Sequence, residues 1–182
     1  MNIPALGVGI TYSADLEELI IAHPNLFPVL EIEPQTLWME TRKAKESFRV
    51  FDTIFEKIAS LPAKKLVHSV GAPVGGTVLP DKKQFDLLRK TVEILKAPYA
   101  SEHLSFNATH GFNTGFFLPP RQTAMGVKKA VESIKCLQDI IGVPLAVETG
   151  VNYFKLRSDE MPDGEFVAAV ADASGCGILL DL

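Results

Sequence analysis

Imidazoles and carboxylates recur at the ends of short apolar runs along this 182-residue chain. The run VLEIEP carries Glu31 and Glu33, with Gln35 just beyond. KLVHSV carries His68, PYASEHL closes on Glu102 and His103, PLAVETG on Glu148 and Thr149, and GILLDL on Asp181. Ionisable groups at the same end of successive buried runs are costly without a counter-charge, and a divalent metal supplies one. Two imidazoles with several carboxylates form a mixed N/O donor set that suits iron, manganese or zinc. No thiolate belongs to the set, which excludes a structural zinc site built on cysteines. A carboxylate such as Glu102 could bridge two metals about 3.5–4 Å apart.

Each residue alone has a plainer explanation. His68 on a strand could be a hydrogen-bonded core histidine, Glu148 a capping or ion-paired carboxylate, and Glu33 the partner of a Lys or Arg. Glu102 and His103 are adjacent, so in a regular strand they face opposite sides. Both reach one site only if the strand is ending there. It is the joint pattern that favours a metal centre with His68, Glu102, His103, Glu148 and Asp181 as candidate ligands. Gly71 and Gly75-Gly76 lack the G-x-G-x-x-G and Walker spacings, so they read as turn glycines that let the backbone pass close to the site. His23, His110 and Trp38 stand alone and receive no role.

These groups need elements to hold them. Strands are predicted at 7–12, 29–34, 65–70, 98–104, 144–150 and 177–182, short and apolar on both faces as parallel strands under helices are. Phe48, Phe51, Phe55 and Ile58 fall at helical spacing within a predicted helix over 43–61. Asp81 and Gln84 make a capping box before Phe85, Leu88, Val92 and Leu95. A third helix spans 123–141, and a fourth spans 165–173 with Gly175 placed to end it. The connection from 104 to 122 is long for a compact domain. Its Phe106, Phe112, Phe116 and Phe117 could cover a site, bind a partner, or pack over the end of the sheet.

Strand then helix, repeated about six times, predicts an α/β fold with a parallel sheet. A complete (β/α)₈ barrel takes about 250 residues. The expectation is a single domain over residues 1–182, a partial (β/α) barrel of about six units without the last strands. The alternative is an open, doubly wound parallel sheet. A final strand with no cover leaves one flank open, for a second copy or another subunit to close.

Composition narrows the class. Hydrophobic residues make up 47%, charged residues 22% and aromatic residues 8%, which excludes disordered, collagenous and disulfide-scaffold chains. A net charge of −4 gives no broad reason to hold nucleic acid. Cys136 and Cys176 are far apart and read as buried free thiols. There is no basic-then-apolar leader and no run of about 18 apolar residues, so the expectation is a cytoplasmic protein that neither crosses nor binds a membrane.

Several blocks resemble one family, the multinuclear non-haem iron-dependent oxidative enzymes that act on cysteine-bearing ribosomal peptides. LVHSVGAPVGG (66–76) is similar to its H-G-V-G-x-S-x-G segment, and SEHL (101–104) to its S-D-H-L. FLPP (117–120) is similar to L-L-P-x-P, VETGVNY (147–153) to L-E-N-x-x-x-Y, and GCGILLD (175–181) to G-C-x-x-L-L-D. Residues 7–10 and 30–37 match more weakly. Ala14 stands where the family's first strand carries a His, Gln35-Thr36-Leu37 where it carries E-N-Y, and Thr149 where it carries Asn.

The resemblance implies a xylose-isomerase-like barrel holding two or three iron ions. It implies His68, His103, Glu148 and Asp181 as ligands, with Glu102 in place of the family's usual Asp. It further implies a cysteine-containing peptide substrate, a partner protein, and oxidation in which iron takes the substrate thiolate while a second iron activates dioxygen. Two other functions stay open: a divalent-metal sugar isomerase or epimerase on the same barrel, and a non-catalytic interaction module.

Overall fold

In the computed structural model, residues 4–40, 48–50, 52–78, 82–150 and 152–181 are described. The strands, in chain order, are β1 (Ile10–Thr11), β2 (Val29–Ile32), β3 (Trp38–Glu40), β4 (Phe48–Val50), β5 (Lys64–Ser69), β6 (Ala100–His103), β7 (Phe106–Thr109), β8 (Phe112–Leu118), β9 (Leu145–Glu148) and β10 (Gly177–Leu179). The helices are α1 (Glu17–Ala22), α2 (Asp52–Ser60), α3 (Lys82–Leu95), α4 (Ala124–Ile141) and α5 (Asp163–Ser174).

Six strands form one sheet in the order β1-β2-β5-β6-β9-β10, and every neighbouring pair is parallel. Each lies beside the strand that precedes it in the sheet's own chain order. The sheet therefore winds in one direction only, as consecutive staves of a (β/α) barrel do. A doubly wound sheet reverses direction partway across. That alternative is removed, and the partial barrel of six β/α units stands.

Parallel register places facing residues of neighbouring strands on one side. Val67, Ala100, Leu145 and Val147 lie on the helix side and are nearly solvent-free. They pack with Phe55 and Ile58 of α2, Leu88 of α3, Ile134 and Leu137 of α4, and Phe166 of α5 in a single apolar cluster. Burying a side chain of this size contributes about 1.5–3 kcal/mol, so this layer fixes the strand order and leaves the other face free for polar groups.

Local signals set the element ends. Thr123 caps α4 by accepting from the Gly126 N–H at 3.1 Å, and Gly142 ends it at φ 71°. Gly175, also at φ 71°, ends α5 as its position predicts. Lys65 is buried, and its Nζ donates to the Ala59 and Leu61 carbonyls at the end of α2. That satisfies orphan acceptors at the negative pole of the helix.

Three expectations change. The predicted helix over 43–61 begins only at Asp52, and residues 48–50 instead pair antiparallel with 38–40. Phe55 and Ile58 keep the apolar stripe, while Phe51, and with it Asp81 of the expected capping box, lies outside the described residues. The long connection is a hairpin of β7 and β8, turned through His110 and Gly111 with Gly111 at φ 78°. Cys136 and Cys176 are free and half-buried rather than buried. No helix among the described residues is long and apolar enough to cross a membrane.

Candidate metal centre

Register decides which polar groups meet. His68 pairs with Ser101, and His103 pairs with Glu148, so His68, Ser101, His103 and Glu148 share the face opposite the apolar cluster. One donor atom from each of His68, His103 and Glu148 lies within 4.8 Å of the other two. Glu148 Oε2 is 3.1 Å from His68 Nε2 and 3.2 Å from His103 Nδ1. Yet this buried oxygen has no hydrogen-bond partner among the described residues.

The surroundings hold both rings neutral and oriented. His68 Nδ1 lies 2.8 Å from Ser101 Oγ, which takes one ring nitrogen and leaves Nε2 facing Glu148. Burial lowers the His68 imidazole below its ordinary range. Burial, and then the neighbouring His68, push His103 down to about 4. The His103 ring lies against Phe117, with centroids 4.3 Å apart, so the hairpin strand β8 covers one side of the centre. Glu148 is raised by burial first and then by the charges of Asp181, Glu31 and Glu33. Neutral imidazoles beside a crowd of acids make a region of negative potential with open lone pairs, the environment a divalent cation relieves.

Glu102 goes elsewhere. β6 stays regular through His103, so the pleat turns Glu102 to the other face, where it is fully buried. Its Oε2 accepts from Ser69 Oγ at 2.6 Å and the Ala72 N–H at 2.8 Å, and its Oε1 accepts from the His103 N–H at 2.7 Å. Burial outweighs these three donors and raises the carboxyl to about 8. The expectation that Glu102 and His103 converge is thereby corrected: Glu102 ties the 69–72 turn to the backbone of His103 and does not join the three-residue group. Asp181 is exposed at the rim and also lies outside that group.

Other residues matter that no sequence motif flagged. Gln35 donates to Ser69 Oγ at 2.7 Å and accepts from the Val70 N–H at 3.2 Å, bracing the same turn. A side chain at Gly71 would strike Gln35, and one at Gly75 would come within 2.9 Å of the Ser105 carbonyl. Those glycines are close-approach positions, as expected. Of the four phenylalanines in the long connection, Phe117 covers His103, Phe106 is half-buried against Gly76, and Phe112 and Phe116 are exposed.

The fold and site together define six consecutive staves of a xylose-isomerase-like barrel, with three residues that could hold a metal ion at the carboxyl ends of its strands. The sequence profile of the RiPP precursor modification enzymes MbnB/TglH/ChrH matches residues 7–182, and the chain belongs to that family. It is thus a member of a family of metal-dependent barrel enzymes. A UPF0276 protein of Chromobacterium violaceum is 29% identical over 164 residues, covering 87% of this chain and 58% of that protein. A UPF0276 protein of Pasteurella multocida is 27% identical over 178 residues, covering 97% of this chain and 55% of that protein. The chain thus spans a little over half the length of these relatives.

Among solved structures, the IOLI protein with a bound zinc atom superposes with a TM-score of 0.52 at 15% identity, over 95% of this chain and 62% of that one. L-ribulose 3-epimerase gives 0.50 at 17% identity, over 95% of this chain and 59% of that one. At these identities the likeness concerns the fold alone.

Proposed function

We propose that His68, His103 and Glu148 hold a divalent metal, with Asp181 extending the donor set from the rim. We further propose that the metal is iron, and that the centre serves oxidative modification of a cysteine residue in a ribosomally made peptide. One observation carries the metal assignment. Glu148 Oε2 is buried between two imidazole nitrogens and hydrogen-bonded to neither. A buried carboxylate oxygen without a partner costs several kcal/mol on the usual scale, and a cation offsets that cost. Manganese and zinc suit the same N/O donors, so metal identity is part of the test. Membership of a family of RiPP precursor modification enzymes supports a ribosomally made peptide as substrate, and the motif resemblance described above supports oxidation at cysteine.

Bound here, iron would supply thiolate coordination and one-electron chemistry with dioxygen. The chain's own residues do the rest. Ser101 Oγ holds the His68 ring in place through its contact with Nδ1. Glu102 anchors the backbone of His103. Phe117 shields the His103 ring from solvent. Glu31, Glu33 and Asp181 surround Glu148 with negative charge, which draws cations to the centre. Ile178 and Leu180 are exposed on the last strand and beyond it, an apolar face that a partner subunit would cover in this proposal.

The test is anaerobic reconstitution with Fe²⁺, Mn²⁺ and Zn²⁺, followed by elemental analysis of the wild type and of His68→Ala, His103→Ala and Glu148→Ala. The expected result is at least one iron per chain in the wild type and a drop of about tenfold or more in each variant, in line with loss of a direct ligand. Equal metal content in all four proteins, or none in any, overturns the proposal.

A further inference from the structure

Gln35 sits just beyond β2, in a short turn that opens on Pro34, and its side chain reaches the end of the neighbouring β5. Its amide has one workable orientation. The Val70 N–H can only donate, and it meets Gln35 Oε1 at 3.2 Å, so Nε2 faces Ser69 and donates to its Oγ at 2.7 Å. An amide nitrogen has no lone pair to offer, so the Ser69 hydroxyl proton goes the other way, to Glu102 Oε2 at 2.6 Å. Glu102 Oε1 in turn accepts from the His103 N–H at 2.7 Å. The order of donors and acceptors is therefore set at Gln35. It is carried across three neighbouring staves, β2, β5 and β6, to the backbone of a candidate ligand.

The turn after β5 is gripped at the same three residues. The Val70 N–H goes to Gln35, the Ala72 N–H to Glu102 Oε2 at 2.8 Å, and the Val74 N–H to the His103 carbonyl at 3.0 Å. Ser69 and Glu102 are fully buried, so water does not replace a partner lost there. Gly71 shows how closely the turn is fitted, since a Cβ at that position would lie 2.8 Å from Gln35 Cγ. The pleat turns Ser69 and Glu102 to the face opposite His68 and His103, so the chain of hydrogen bonds acts on the centre from behind.

We infer that Gln35 is a positioning residue for His103, acting through Ser69 and Glu102 to fix the place at which β6 delivers the imidazole. The three side chains work as one unit, because the loss of any one breaks the path to the His103 N–H. What the positioning serves rests on the proposed metal centre, but the first readouts are taken on metal-free protein, so the two fail separately.

Four variants test this. Gln35→Met removes the donor and the acceptor at similar length. Ser69→Ala cuts the path and leaves Gln35 on the Val70 N–H. Gly71→Ala removes no polar group but pushes the Gln35 side chain aside. Ile134→Val, in the apolar cluster and outside the path, is the control for lost stability. In metal-free protein, hydrogen exchange of the His103 amide is expected to run about fivefold faster in the first three variants than in the control, the scale of one hydrogen bond. The His103 ring protons lie beside the Phe117 and His68 rings, and their chemical shifts are expected to move in the same three variants only. Co²⁺ is then titrated and followed by its visible absorption. Its affinity is expected to fall about tenfold in each of the three, as when a ligand loses an outer partner. The double variant Gln35→Met/Ser69→Ala is expected to match the worse single variant, because both cut one path.

His103 exchange and ring shifts that stay at the level of the control overturn the inference. So do additive effects in the double variant. Co²⁺ bound with equal affinity by all the proteins keeps the metal centre and removes the role of Gln35. If Co²⁺ binds to none of them, the metal centre falls, and the metal-free readouts alone uphold or overturn the inference.

Discussion

Glu102 offers the sharpest test of how the fold positions the centre. Its carboxyl is fully buried and accepts from Ser69 Oγ, the Ala72 N–H and the His103 N–H. Glu102→Ala strands two backbone amides and the Ser69 hydroxyl, since Gln35 donates to Ser69 Oγ and does not accept from it. At about 1–3 kcal/mol for each of these three unsatisfied buried groups, the expected loss is about 3–9 kcal/mol. That is a large part of the 5–15 kcal/mol typical of a domain. Glu102→Gln keeps the volume and the acceptor for His103, but puts an amide nitrogen against the Ala72 N–H, for about 1–3 kcal/mol. The assay is urea unfolding of metal-free protein, followed by circular dichroism and by tryptophan fluorescence. The expected order of stability is wild type, then Gln, then Ala. An Ala variant within about 0.5 kcal/mol of the wild type, the range of inconsequential surface changes, would refute the reasoning.

Two further outcomes follow from the same geometry. Asp163 is held below its ordinary range by Gln122 and Asn152, so its contribution is complete above that range and is lost as pH falls through the depressed value; Asp163→Asn should show a shallower fall in acid unfolding midpoint than the wild type, with equal slopes refuting the assignment. Gly126→Ala would place its Cβ 1.9 Å from the Arg121 carbonyl oxygen, so the first turn of α4 must shift, at a cost expected to exceed the roughly 1 kcal/mol of helix propensity gained, and the thermal midpoint is expected to fall rather than rise.

Periodicity and composition were sufficient for much of the architecture. The six main-sheet strands, the helices over the apolar layer and the helix-ending role of Gly175 follow from the spacing of apolar residues and glycines, which is a local property of the chain. The co-occurrence of His68, His103 and Glu148 at strand ends was legible for the same reason: parallel staves start and stop together. The β7–β8 hairpin was not, because FNAT and FNTGFFL are short, and the turn glycine is one signal among many. The strand at 48–50 was hidden under phenylalanine spacing that suits a helix equally well.

Tertiary structure decided the rest. Whether Glu102 or His103 faces the mouth depends on where β6 stops being a regular strand, and that is set by its pairing with β5 and β9, not by its own four residues. The same holds for Gln35 and Ser69, two ordinary polar residues in the sequence. Only the packing of neighbouring staves links them to Glu102, because contact belongs to the whole fold while donor and acceptor count belongs to the residue.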